Sequence, residues 1–336
     1  MPEYTAPLRD MRFLLNEVFD APSMWAENAR LAEVVDTETA DAILEEAGKI
    51  ASAVLAPINR EGDEIGSKWS NGEVTAPSGF KEAYKQYVDG GWTGMTHPEE
   101  LGGQNLPYSL GSVMAEWFSS ANHSWAMYPG LSQGCMETLK EHGTSEQQKM
   151  FLNNLIGGHW TGTMCLTEPH CGSDLGMLKC KAVKNDDGTY SLTGTKIFIS
   201  AGEHDMSDNI VHIVIARLPD APSGTKGISL FVVPKFNAGT EGEKLDRNAV
   251  TCGSIEHKMG IKGSATCVIN FDEAKGYLVG TENRGLNCMF TFMNTARIGT
   301  GLEGLSASEA AFQGALAYAK DRLQFRAMTG VKNPDG

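Results

Sequence analysis

Apolar residues recur three and four positions apart between residues 37 and 54, at Ala40, Ile43, Leu44, Ala47, Ile50 and Ala51. That spacing puts them on one face of a helix. Helical patterning continues to about residue 160. Thr144-Ser-Glu-Gln147 reads as a capping box ahead of KMFLNNLI. His97-Pro-Glu-Glu-Leu-Gly-Gly-Gln-Asn-Leu-Pro107 breaks the period with Pro and paired Gly, so it reads as a loop between helices. From 161 to about 282 the pattern turns to strands. Tyr190–Ile199 is rich in β-formers behind the turn signal Asn185-Asp-Asp-Gly188, which predicts a hairpin over 177–199. Ile210–Ala216, Gly227–Val233 and Thr266–Phe271 are short apolar runs expected of core strands.

Helix returns from about 285. Ser306-Ala-Ser-Glu309 reads as a second capping box, followed by Phe312, Leu316, Ala319 and Leu323 on one face. The predicted class is therefore α+β. It comprises an N-terminal helical domain (1–160), a middle antiparallel β domain (161–282) and the beginning of a C-terminal helical domain (283–336). A single helix after a β domain has too little around it to bury an apolar face. The sequence closes on the turn-like Val331–Gly336, so further C-terminal helices are expected beyond it.

Composition narrows the picture. The 336 residues fit two or three domains at roughly 100–200 residues each. A hydrophobic content of 41% is enough for a sizeable core. A net charge of -14 argues against non-specific nucleic-acid binding. Arg9, Asp10, Arg12 and Glu17 interrupt the N-terminal apolar residues, so no signal peptide is read. The longest apolar runs fall far short of the ~20 residues that cross a bilayer. The seven cysteines form no C-x-x-C pair and read as reduced thiols of a cytoplasmic protein. No G-x-G-x-x-G opens a helix after a strand, so a Rossmann site has no support.

Chemistry concentrates at the start of the strand region, in Cys165-Leu-Thr-Glu-Pro-His-Cys-Gly-Ser-Asp-Leu-Gly176. Its hydroxyls and backbone N–H groups suit a flat polar ring, and Gly172 permits close approach. On residue chemistry alone, a plain turn ahead of the hairpin is the better-supported reading. The segment resembles the flavin- and thioester-binding stretch of the acyl-CoA dehydrogenase family. HPEELGGQNLP resembles that family's loop ahead of the acyl-pocket helix. Gly194–Ser200, Lys258–Thr266 and Asp321–Arg326 resemble, in order, its flavin-side strand, the segment ending its β domain, and its cofactor-reaching helix.

The resemblance implies FAD as cofactor. Met164, Leu166 and Thr167 would lie along the isoalloxazine, while Gly172 and Ser173 would meet cofactor and pantetheine. Phe198, where many relatives carry Trp, would stack by the ring, and Ser200 would donate a hydrogen bond. Asn294 and Arg297 would contact CoA. Arg322 and Phe325 would reach the FAD of a partner subunit, which implies a homodimer or dimer of dimers. The implied reaction is α,β-dehydrogenation of an acyl-CoA, with electrons passed to an electron-transfer flavoprotein, in fatty acid or dimethylsulfoniopropionate metabolism. Oxidation of acyl-CoA or nitroalkanes on the same scaffold, and a non-catalytic flavin- or CoA-binding fragment, stay open as alternatives.

Two departures qualify the match. His170-Cys171 stands where short members carry Gly-Ala. No metal is expected there, because adjacent side chains on an extended turn do not readily converge. With the extra N-terminal helical segment, the pair resembles a longer subgroup that includes the 3-methylmercaptopropionyl-CoA dehydrogenases. The second departure is Ala296, at the position where a minority of members place the catalytic Glu. Glu168 reads as a loop anchor, and Glu303 as a bystander in a Gly-rich helix. The base is therefore expected beyond Gly336. His159, His204, His212 and His257 read as surface or satisfied core residues.

Overall fold

The computed structural model describes residues 4–324. Helices fill the first half: α1 (Leu8–Phe13), α2 (Ala21–Glu27), α3 (Thr37–Lys49), α4 (Ala56–Ile65), α5 (Phe80–Asp89), α6 (Tyr108–Ala121), α7 (His123–His142) and α8 (Ser145–Ile156). A small hairpin, β1 (Lys68–Ser70) and β2 (Glu73–Thr75), interrupts them. The predicted apolar stripe is the inward face of α3, with Ala40, Leu44 and Ala47 buried, and a π-type turn carries the helix on past Ala51. The Thr144 capping box forms in full and starts α8.

Strands follow: β3 (Trp160–Cys165), β4 (Lys181–Lys184), β5 (Tyr190–Ser200), β6 (Asn209–Arg217), β7 (Ile228–Pro234), β8 (Phe236–Ala238), β9 (Lys244–Arg247), β10 (Val250–Ile255) and β11 (Thr266–Val279). The β4–β5 hairpin forms at the predicted turn, with Lys184 opposite Tyr190. Pairing runs β11–β5–β4–β6–β7 and back to β11, so these strands close a ring. Closure removes the free edges an open sheet would expose. The ring is antiparallel except where Lys181 of β4 meets Arg217 of β6. Outside it, β10 extends β11, and β3 runs parallel to β6. The interior is built from buried residues such as Leu192, Val214, Phe231, Val233 and Phe271.

A 37-residue helix, α9 (Gly285–Asp321), returns across the helical half and packs on α6 and α7. The helix begins where expected, near 285, but Ser306-Ala-Ser-Glu309 is not a capping box. Ser306 lies inside α9, and its hydroxyl donates back to the Leu302 carbonyl at 2.8 Å. Packing of the first turns on α6 and α7 carries the helix through Gly299, Gly301 and Gly304, overriding their weak propensity. Phe312, Leu316 and Leu323 are exposed. Tyr128 links the helical and β parts: its hydroxyl donates to Gly263 O (2.9 Å) and accepts from Ala265 N (3.0 Å).

Candidate functional site

β3 leads into the Cys165–Gly176 segment. Thr161, Thr163 and Cys165 point into the β core, while Met164 and Leu166 face the other way, half-buried. The Thr167 carbonyl accepts from Ile197 N at 2.9 Å, which fixes the segment to β5. Glu168 and Cys171 exchange backbone bonds of 2.8 and 3.0 Å, closing a tight turn over Pro169 and His170. At Gly172 a Cβ would sit 3.2 Å from the Thr167 methyl, so a side chain there would crowd Thr167. Ser173 is exposed on the outer loop, beside Asp174, which caps Gly176 N at 3.0 Å.

The Glu168 side chain turns inward and is 3% exposed. It accepts from Lys179 N (2.7 Å), Cys180 N (3.0 Å) and the Lys196 ammonium (2.9 Å). Lys196, fully buried, also donates to Leu166 O at 2.9 Å. Burial pushes the carboxyl's pKa up, but Lys196 and the two N–H groups outweigh it and hold it below its ordinary value. Glu168 is thus an ionised anchor. Lys196 is the organising residue the motif reading missed; a lone Lys in a strand, on the buried face, was the available signal.

The expectation that His170 and Cys171 would not converge is corrected. The turn brings ligand atoms of Glu168, His170 and Cys171 within 4.8 Å of one another. The bridge between Glu168 and Cys171 folds an extended segment back on itself. Any cation there would lie beside the Lys196 ammonium and compete for a carboxylate that already holds three donors.

Next to Thr167, β5 bulges. Lys196 pairs with Ile269 and Ile199 with Cys267, so Ile197 and Phe198 oppose a single residue. Phe198 takes φ +59° and is 58% exposed. Positive φ at an aromatic residue costs about 1–3 kcal/mol, and here it turns the ring out of the sheet beside Thr167. Ser200 follows, paired with Thr266. Met164, Leu166, Thr167, Gly172, Phe198 and Ser200 therefore lie on adjoining segments at one end of the barrel. The Lys258 segment is a loop leading into β11, held by bonds from the Lys258 ammonium to Ile261 O and Ser264 O.

Asn294 and Arg297 lie together on α9, with an Arg297 guanidinium N–H donating to Asn294 Oδ1 at 3.4 Å and the cation 5.6 Å from the Phe290 ring centre. Arg322 ends α9 and donates to the Tyr318 hydroxyl at 2.6 Å, away from the motif loop along the helix. Phe325 lies outside the described residues. A cavity of about 510 Å³ runs between α6, α7 and α9, mostly apolar, with Ala296 in its wall. Glu303, read as a bystander, also lines it, as does Glu137. Burial raises the Glu137 pKa, but Lys140 (2.7 Å) and the Tyr108 hydroxyl (2.8 Å) outweigh it and hold the group below its ordinary value. The cavity's aromatic wall was not legible beforehand, since Trp92, Phe118 and Trp125 follow ordinary core spacing.

His204 and His212 are fully buried: His204 is satisfied on both ring nitrogens, meeting the Thr161 hydroxyl at 3.0 Å and accepting from Met206 N at 3.2 Å, and His212 meets the Thr163 hydroxyl at 2.7 Å. The second ring nitrogen of His212 has no partner among the described residues. His159 and His257 are exposed.

Comparison with known proteins agrees with this geometry. Residues 37–159 match the model for the acyl-CoA dehydrogenase N-terminal domain, and residues 163–274 the model for its middle domain. The chain is 46% identical over 327 residues to the 3-methylmercaptopropionyl-CoA dehydrogenase of Ruegeria pomeroyi, covering 97% of this chain and 55% of that protein. Butyryl-CoA dehydrogenase from Megasphaera elsdenii superposes with a TM-score of 0.71 at 29% identity, over 85% of this chain and 70% of that one. An acyl-CoA dehydrogenase complexed with FAD from Bacillus anthracis gives a TM-score of 0.70 at 26% identity, over 88% and 47%. The chain spans about half the length of the first curated relatives it matches. With both domain models matched in order, the chain belongs to the acyl-CoA dehydrogenase family.

Proposed function

We propose that this protein is an FAD-dependent dehydrogenase of acyl-CoA thioesters, acting on a short acyl group such as 3-methylthiopropionyl and passing electrons to an electron-transfer flavoprotein. The observation that carries the reading is the coupled arrangement at the end of the barrel. Glu168 and Lys196 hold the Thr167 loop from below, and the β5 bulge turns Phe198 out beside it. The half-buried apolar face of Met164 and Leu166, followed by a hydroxyl and flanked by an outward aromatic, fits a flat ring that is apolar on its face and polar at its edge. Bound there, FAD would supply the hydride acceptor.

The chain's own residues do the positioning. The Thr167 hydroxyl and its neighbouring backbone would hydrogen-bond the polar edge of the ring, and Gly172 leaves room for that approach. Ser200 would donate to the same edge. Ser173 would meet the phosphates and the pantetheine arm. Arg297 and Asn294 would hold CoA from α9, placing the acyl chain in the cavity behind Ala296. Arg322 and Phe325 are assigned to the FAD of a partner subunit in a homodimer, with Arg322 presenting a fork suited to phosphate. With FAD supplying the acceptor for the β-hydride, the protein would need a carboxylate to take the proton from the α-carbon. Glu168 and Glu137 are held ionised by cations and donors, which lowers their basicity, so neither is assigned as that base.

Among the described residues no helix is long and apolar enough to cross a membrane. All seven cysteines are free and buried, which supports the cytoplasmic assignment. The test is the visible spectrum of the protein expressed from its whole natural reading frame, followed on adding 3-methylthiopropionyl-, butyryl- and palmitoyl-CoA. A bound flavin that bleaches is expected; absence of flavin, or no bleaching with any ester, rejects the reading. Oxygen uptake without an added acceptor would redirect it to an oxidase.

A further inference from the structure

The cavity between α6, α7 and α9 has two unlike ends. Tyr108, Gly130 and Ile298 are exposed and form its open side. The opposite wall is made of Tyr87, Met95, Met114, Phe118 and Trp125, all buried, with Trp92 beside them. These rings pack edge to face. Tyr87 meets Trp125 at 5.4 Å and 79°, Tyr87 meets Phe118 at 5.9 Å and 80°, and Trp92 meets Phe118 at 6.0 Å and 85°. Such packing presents ring edges as well as faces, and ring edges are where a thioether sulfur makes its favourable contact. Two methionines in the same wall add soft, polarisable surface. An aliphatic chain gains nothing specific from such a wall; Leu or Val would bury it as well.

Resting on the proposed acyl-CoA reading, we infer that Phe118 and Trp92 are specificity-determining residues. They select an acyl group carrying a thioether sulfur over the alkane of the same shape. The comparison that isolates the effect is 3-methylthiopropionyl-CoA against pentanoyl-CoA, which differ by one sulfur in place of one methylene. A sulfur–aromatic contact is worth about 0.3–1.5 kcal/mol, equivalent to roughly 2- to 12-fold in a rate or binding ratio.

The experiment measures the ratio of kcat/KM for the two esters in the wild type, in Phe118→Leu and in Trp92→Leu. Sulfur also changes the intrinsic reactivity of the substrate, but equally in every variant, so the change in the ratio reports the pocket. The ratio is expected to fall at least 2-fold in each substitution, through KM more than through kcat. The corresponding ratio of dissociation constants for the two enoyl products, by calorimetry, should rise in parallel. Trp92 is partly exposed on a short turn, so its replacement keeps the test alive if Phe118→Leu does not fold. Ratios unchanged in folded, flavin-loaded variants overturn the inference while leaving the dehydrogenase reading intact. Failure of the wild type to turn over either ester would instead overturn that reading.

Discussion

At the scale of single residues the site depends on a buried ion pair. Lys196 and Glu168 are 0% and 3% exposed, and the pair is tied into both β3's exit and the turn after it. Removing one partner of such a pair leaves an uncompensated charge and costs about 3–5 kcal/mol. Lys196→Met should therefore lower unfolding stability by that order in urea titrations and release flavin on gel filtration. Lys196→Met with Glu168→Gln should recover part of the stability. Glu168 was legible as an anchor because a carboxylate beside Pro and Gly in a binding loop is placed to cap backbone N–H groups. Its partner was not, because pairing across 28 residues depends on strand register.

At the scale of elements, close approaches set the helix positions. At Gly134 of α7, a Cβ would lie 2.3 Å from the Phe292 ring of α9. Gly134→Ala is expected to push α9 away and cost about 1–3 kcal/mol, offset only partly by better helix propensity. CoA affinity should weaken with it, since Arg297 rides on α9, and Phe292→Leu in the same protein should restore much of both. Calorimetry with a CoA thioester checks the first effect and thermal unfolding the second. Thr144→Ala removes a formed capping box and should cost about 1 kcal/mol in the same unfolding assay. The two capping-box readings had equal sequence support. Only Thr144 follows a Gly at a chain reversal, whereas Ser306 sits in a helix already nucleated by packing twenty residues earlier.

At the scale of the whole molecule, acid should act through the barrel. Burial pushes the His204 and His212 pKa values down to about 3, with Lys235 adding to it. Both are neutral in the fold, and the unfolded chain takes up their protons first, near pH 6.5. Their contribution is intact above that pH and is lost progressively between about 6.5 and 3, at up to about 1.4 kcal/mol per pH unit for each. Urea midpoints between pH 7 and 4 should fall accordingly. His204→Gln and His212→Asn, which keep an acceptor near each Thr hydroxyl, should flatten that limb. The sequence by itself determined the local matters: the α3 stripe, the α8 cap, the β4–β5 hairpin and the small-residue loop at 165–176. Each is set by periodicity or turn chemistry within a few residues. Tertiary structure alone decided that β7 and β11 close the barrel, that Lys196 meets Glu168, that α9 runs unbroken past its glycines and that an aromatic wall ends the cavity. These depend on register and packing between residues far apart in the chain, where local preference carries little free energy and burial carries most of it.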